Sequence, residues 1–214
     1  MLASASPARL GVLRAAGVEP AVIVSQVDED AILAELGSDA AHEDAVTALA
    51  RAKAHDVAAR VTDDPSARAR RTVIVGCDSM LSIGGALVGK PHTPAVARER
   101  WGAMRGRAGR LLTGHCVLLL DGDGAPPREA TGTGGTTLRF GAPSDAEIDA
   151  YVATGEPLEV AGAFTLDGLG GWFIEGIDGD PSSVIGISLP LMRRLLSELG
   201  VGVVDLWRGV PDPA

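Results

Sequence analysis

Apolar and polar positions along this chain alternate with two periods. Short consecutive runs of Val, Ile and Leu predict strands, and apolar residues recurring every three or four positions predict helices. Residues 2–5 read as a short strand. Ser6 and Pro7 then open a helix, because serine caps well and proline suits the first helical position. Leu10, Val12 and Leu13 give it an apolar face and Gly17 stops it. Residues 21–24 predict a strand, followed by an acidic loop over 27–30. Residues 43–60 form an alanine-rich helix with a buried stripe of Val46, Leu49, Ala50 and Val57. Lys53 follows Leu49 by four positions and so lies near that stripe rather than opposite it. A polar loop occupies 62–70.

The run over 72–79 predicts a buried strand with Asp78 at its carboxyl end, the place where open α/β sheets put ligand chemistry. A hairpin at Gly84-Gly85 returns through 86–88 to Lys90. Thr93-Pro94 opens a helix to about Arg105. A long strand over 111–121, a Gly/Asp turn over 121–124 and an antiparallel partner over 131–140 come next. The glycine-rich stretches at 132–135 and 168–171 nonetheless have the character of loops. Ser144 caps a helix that runs to Thr154, with Gly155 as its stop. A strand over 172–177 and a helix over 190–199 complete the pattern. No repeat is visible, and no linker is long enough to divide residues 1–214 into independent domains.

Composition supports a packed α/β protein, with 46% hydrophobic and 22% charged residues. The net charge of −9 argues against a nucleic-acid-coating role, which needs a basic face. Aromatic residues at 3% are too few for base-stacking platforms, and Trp101, Trp172 and Trp207 read as core or interface anchors. Cys77 and Cys116 sit in separate apolar runs and are expected to be reduced and buried. The first residues lack the basic and apolar regions of a signal peptide, and no apolar run is long enough for a membrane span, so a cytoplasmic protein is expected.

Several polar residues stand out against this background. Ser4, Ser6 and the free amides of the following helical turn can receive an anion, and Arg9 can curl toward it. An ordinary capped helix with a surface arginine uses the same residues. Asp78 is a catalytic or metal-binding carboxylate, or a turn cap. Together with Asp28 and Glu29 it would suit Mg²⁺, which takes a few protein oxygens plus phosphate and water. A solvated acidic loop is the plainer account of residues 28 and 29. Lys53 and Lys90 can neutralise phosphate charge, or simply lie at the surface. Lys90 is no Walker lysine, since the required glycine and the following hydroxyl are missing. His42, His55, His92 and His115 show no metal-ligand spacing.

These segments in this order resemble the Maf family, the septum-formation-inhibitor-like nucleoside triphosphate pyrophosphatases. The resemblance rests on Leu2-Ala3-Ser4-Ala5-Ser6-Pro7, Asp28-Glu29, Ala50-Arg51-Ala52-Lys53-Ala54, Val75-Gly76-Cys77-Asp78-Ser79 and Gly89-Lys90-Pro91. It continues through Thr113-Gly114, the run from Tyr151 to Pro157, Ala161-Gly162-Ala163-Phe164 and the run from Ile185 to Pro190. It implies an α/β fold, a mixed sheet with flanking helices in two lobes around a central cleft, similar to inosine triphosphate pyrophosphatases. It also implies hydrolysis of a nucleoside triphosphate to monophosphate and pyrophosphate with a divalent metal, Mg or Mn, and a possible homodimer. Asp78 matches the proton-accepting aspartate, with Glu29 and Asp78 as metal ligands. Ser6, Arg9, Glu29, Lys53 and Lys90 match polar positions that line the cleft. The chain departs from the family pattern in having Ala8 where an arginine usually stands. It also has Leu166-Asp167-Gly168 in place of Ile-Gln-Gly, which puts a carboxylate, Asp167, near the nucleotide. Competing readings are a non-catalytic nucleotide-binding regulator of septum formation, and an interaction domain that binds through its glycine-rich loops.

Overall fold

The computed structural model describes residues 1–63, 70–122 and 125–208. The expected loop over 62–70 and the turn over 121–124 therefore fall largely outside the described residues. Five strands form one sheet in the order β2-β1-β3-β4-β5. They are β1 (Thr72–Ile83), β2 (Ala86–Val88), β3 (Ala108–Leu120), β4 (Arg128–Phe140) and β5 (Ile174–Asp178). All pair antiparallel. The parallel element is Leu2, which bridges both Val22 and Val75. Residues 2–5 and 21–24 thus make single bridges rather than the expected strands.

The helices are α1 (Pro7–Ala15), α2 (Glu29–Leu36), α3 (His42–Thr62), α4 (Pro94–Met104), α5 (Asp145–Ala153), α6 (Pro181–Ile185) and α7 (Leu189–Glu198). Ser6, Thr93, Ser144 and Ser188 cap α1, α4, α5 and α7 through their side-chain oxygens. The acidic run is not a loop. Asp28 accepts from the Ala31 amide and caps α2, whose first turn holds Glu29 and Asp30, where carboxylates are favoured by the helix dipole.

The long strands cross more than one region of core. Near residues 73–77 and 116–120, one sheet face packs Val75, Cys77, Val117 and Leu119 against Leu2, Leu13 and the apolar stripe of α7. The other face packs Ile74, Cys116 and Leu118 against Ala50, Ala54 and Val57 of α3. Further along the same strands, Leu81, Leu111, Leu138 and Phe140 join Trp101 of α4 and Tyr151 of α5. Asp78 lies between these regions, as the seventh of the twelve residues of β1. It is therefore mid-strand in an antiparallel sheet, not at a strand's carboxyl end. The polar Ser79 and Ser82 made the strand look finished too early.

The stretch 132–135 is no loop either, since it forms the middle of β4. A Cβ on Gly132 would lie 3.1 Å from Leu191 Cδ1, and one on Gly134 would lie 2.9 Å from Ser183 Oγ, so small size there permits helix packing. The expected strand over 172–177 begins only at Ile174, after a 3₁₀ turn over Leu169–Phe173. Trp101 is fully buried, as a core anchor should be, whereas Trp172 is 87% exposed. Cys77 and Cys116 are free and buried, and burial pushes each thiol up to about 12. Among the described residues no helix is long and apolar enough to cross a membrane.

Candidate active site

Side chains alternate across a strand, so Asp78 and its neighbour Ser79 face opposite sides of the sheet. Asp78 faces α3. That helix approaches unusually closely because two glycines lie beneath it. A Cβ on Gly76 would fall 2.3 Å from the Ala50 carbonyl oxygen, and one on Gly114 only 2.2 Å from that of Val46. Gly114 is the direct cross-strand partner of Asp78. The missing side chains let α3 carry Lys53 down to the sheet, where its Nζ lies 2.6 Å from Asp78 Oδ1. The same ammonium lies 2.7 Å from Glu29 Oε1 at the start of α2. Lys53 and Asp78 are both buried, while Glu29 is exposed.

Burial is the dominant influence on Asp78 and raises its pKa, against the attraction of Lys53 and Arg9. The result is a carboxyl held above the ordinary aspartate range, a state suited to accepting a proton. Its second oxygen, Oδ2, takes no hydrogen bond from any described residue.

On the Ser79 side stands Arg9, one turn into α1. Its Nε donates to the Gly186 carbonyl at 2.9 Å, its Nη1 to Ser4 Oγ at 3.1 Å and its Nη2 to Ser79 Oγ at 3.1 Å. Gly186 has φ 130, and a Cβ there would come 3.1 Å from Arg9 Cγ, so both conformation and space call for glycine. Ser6 Oγ accepts from the Arg9 amide at 3.3 Å, and Ser4 Oγ accepts from the Ser6 amide at 3.2 Å.

The structure therefore brings Lys53 and Glu29 to Asp78 on one face of the sheet, and groups Ser6 and Arg9 with Ser4 and Ser79 on the other, from where Arg9 still attracts the Asp78 carboxylate. Lys90 and Asp167 stand apart from these contacts. Lys90 is exposed, and its ammonium lies 4.0 Å from Glu159. Its backbone is well held: the Gly89 carbonyl accepts from Arg100 and from the Gly162 amide, and the His92 amide donates to Leu158. Asp167 is exposed on the loop before the 3₁₀ turn at Leu169. That loop is organised by Glu156, whose carboxylate accepts from Tyr151, Thr165 and the Leu169 and Gly170 amides.

Sequence reasoning gave Ser79, Thr113 and His115 no role of their own in the site. Ser79 Oγ and Thr113 Oγ1 are 2.9 Å apart, as directly paired residues of β1 and β3. His115 bonds the Thr113 carbonyl through Nδ1 and accepts the Ser188 amide on Nε2. Burial lowers its pKa to about 4, so it is a neutral structural link to α7. The available signal was three polar residues, Ser79, Thr113 and His115, inside runs that otherwise read as buried. A separate cavity of about 1050 Å³, lined by Leu13, Val73, Met192 and Trp207 among others, includes none of the predicted site residues.

A family model described as "Maf-like protein" matches residues 1–199. A protein of Rhodococcus opacus (strain B4) is 62% identical over 207 residues, 97% of this chain and 95% of the relative. One of Nocardia farcinica (strain IFM 10152) is 61% identical over 208 residues, 97% of this chain and 96% of the relative. One of Saccharopolyspora erythraea is 60% identical over 208 residues, with the same shares covered. All three relatives bear the name "Nucleoside triphosphate pyrophosphatase". With the family matched across nearly the whole length, the chain belongs to the Maf-like proteins.

Proposed function

We propose that this protein hydrolyses nucleoside triphosphates to the monophosphate and pyrophosphate, with its chemistry at Asp78. The observation that carries this reading is the buried Asp78 carboxyl 2.6 Å from the Lys53 ammonium, with Arg9 bonded to the neighbouring Ser79 across the strand. The names of relatives about 60% identical over almost the full chain support it.

In this reading a water oxygen bonds to phosphorus as the bond bridging the α- and β-phosphates breaks. The proton of the water passes to Asp78, which acts as general base through the oxygen that Lys53 does not hold. Arg9 and Lys53 hold the departing pyrophosphate and offset its charge, and Lys90, which matches a family position, adds a further cation when substrate is bound. The Ser6 hydroxyl and the Ala8 amide, the one N–H of the first three α1 residues that Ser6 does not hold, serve the same anion. Asp167 borders the base, where its charge bears on nucleotide preference.

The donor set suits a substrate-borne cation rather than a protein cage. Among the described residues no group of three or more His, Cys, Asp or Glu side chains is gathered to hold a metal. Glu29 and Asp78 converge on one point, now bridged by the Lys53 ammonium. Two carboxylates supplemented by phosphate oxygens and water are what Mg²⁺ accepts. Glu29 and Asp78 would hold such an ion, which supplies charge neutralisation at the phosphates when bound. A regulator that only binds nucleotide would need no proton acceptor, and Asp78 favours the hydrolase over that alternative.

The test is pyrophosphate release from a panel of common and modified nucleoside triphosphates with Mg²⁺ or Mn²⁺. Stoichiometric monophosphate and pyrophosphate are expected from at least one of them. Nucleotide binding with no turnover across the panel would favour the regulator.

A further inference from the structure

Arg9 is held by more than its own contacts. Thr113 is fully buried, and its Oγ1 donates to the Ser183 carbonyl at 2.9 Å. A carbonyl only accepts, so the one hydroxyl proton of Thr113 is committed there. Ser79 Oγ lies 2.9 Å from Thr113 Oγ1, and the direction of that bond is now fixed. Ser79 must donate and Thr113 accept. Ser79 then offers Arg9 Nη2 a lone pair and has no proton left for the cleft. A directed relay results, running from Arg9 through Ser79 and Thr113 to the start of α6.

The guanidinium carries five N–H groups. Three are engaged by Gly186, Ser4 and Ser79. Among the described residues no other acceptor is bonded to Arg9, so one N–H remains on each terminal nitrogen for phosphate oxygens.

We infer that Thr113 is a positioning residue for the phosphate grip: by setting the direction of the Ser79 hydroxyl it locks Arg9 in the orientation that leaves one N–H on each terminal nitrogen for the pyrophosphate moiety. This rests on the proposed function, in which Arg9 contacts phosphate. Without the Thr113 hydroxyl the Ser79 proton is released. It then competes with Arg9 as a second donor, and the guanidinium loses a fixed acceptor. Thr113 itself, fully buried, never meets the substrate.

The experiment is calorimetric titration of the full chain with inorganic pyrophosphate in the presence of magnesium. Thr113→Val keeps the shape and removes the hydroxyl. It should weaken affinity roughly tenfold, the scale of one hydrogen bond to a charged group. Thr113→Ser restores the relay and should stay within about twofold of the native protein. The decisive arm is the cycle with Arg9→Ala. If Thr113 acts through Arg9, Thr113→Val costs nothing further once Arg9 is gone. Equal losses with and without Arg9 would mean a general structural effect and overturn the inference, as would native affinity in Thr113→Val. Ser79→Ala breaks the relay one step nearer Arg9 and serves the same cycle should Thr113→Val fold poorly. The failure of the underlying reading looks different: Arg9→Ala alone would then leave pyrophosphate affinity unchanged.

Discussion

Lys53→Met isolates the charge at the heart of the cluster. Methionine matches the length of the lysine stem and keeps its packing on α3, so the change removes little besides the ammonium. That ammonium lies 2.6 Å from Asp78 and 2.7 Å from Glu29, and the side chains of Lys53 and Asp78 are each only 9% exposed. Glu29 is half in water and recovers its solvation. Asp78 does not. Removing one partner of a buried ion pair costs about 3–5 kcal/mol. Arg9 still attracts Asp78, so the lower part of that range, about 3 kcal/mol, is expected at neutral pH. The sign with pH follows from the direction of the Asp78 shift. Its folded pKa is raised, so the folded state binds the proton more tightly, and stability falls as pH rises from the unfolded aspartate value through the folded one. Losing Lys53 raises that pKa further and widens the window. The deficit of Lys53→Met should therefore shrink in acid, where Asp78 is neutral, and be largest at neutral pH. Adding Asp78→Asn removes the orphaned charge and should restore most of the loss. Urea unfolding of the two single variants and the double variant across this pH range reads all of it. A Lys53→Met variant as stable as the native protein at neutral pH, or one that Asp78→Asn fails to rescue, would refute the reasoning.

Two further perturbations probe how the site is built. Gly114→Ala places a Cβ 2.2 Å from the Val46 carbonyl oxygen and 2.7 Å from the Thr47 nitrogen, both backbone atoms of α3. The helix must lift, so unfolding should show a loss of at least about 2 kcal/mol, and turnover should fall as Lys53 leaves Asp78. Stability and activity close to native would show that the close approach is not needed. For Glu156, desolvation tends to raise the pKa, but the hydrogen bonds from Thr165, Gly170, Leu169 and Tyr151 prevail and hold it below the ordinary glutamate value. A depressed acid stabilises above its unfolded pKa, and that contribution is lost as pH falls through the folded one. Glu156→Gln should thus lower the melting temperature at neutral pH and flatten its decline in acid; an unchanged acid limb would count against this role.

Three helices were legible from a polar cap ahead of an apolar stripe. Ser6-Pro7, Thr93-Pro94 and Ser144 each open a helix where sequence placed one. Lys53 was read near the stripe of its helix and is indeed buried there. The acidic run at 28–30 was misjudged because the same residues that mark a solvated loop also make a favourable helix start. The glycines of β4 were read as a break because a missing Cβ looks the same whether the backbone must turn or a neighbour must approach. Nothing local distinguishes the two, since Leu191, Ser183 and Arg110 arrive from distant segments. α6 was overlooked, at five residues too short to show a period. At the site, Asp78, Lys53, Glu29, Arg9 and Ser6 were each visible as polar residues in informative surroundings. The contribution of Thr113 was not, because it depends on cross-strand register, which becomes apparent only when β1 and β3 pair.

The central claim, that the carboxyl of residue 78 performs the proton transfer in triphosphate cleavage, is tested most directly by Asp78→Asn. Lys53 keeps Glu29 as a partner in this variant, and the amide oxygen can still accept from the ammonium, so the fold should survive. The measurement is steady-state pyrophosphate release from the best nucleotide of the panel. A fall in kcat of at least about a thousandfold, beyond what general base catalysis alone usually supplies at its lower end, with nucleotide binding and unfolding midpoint retained, is the predicted result. Turnover at the native rate would contradict it.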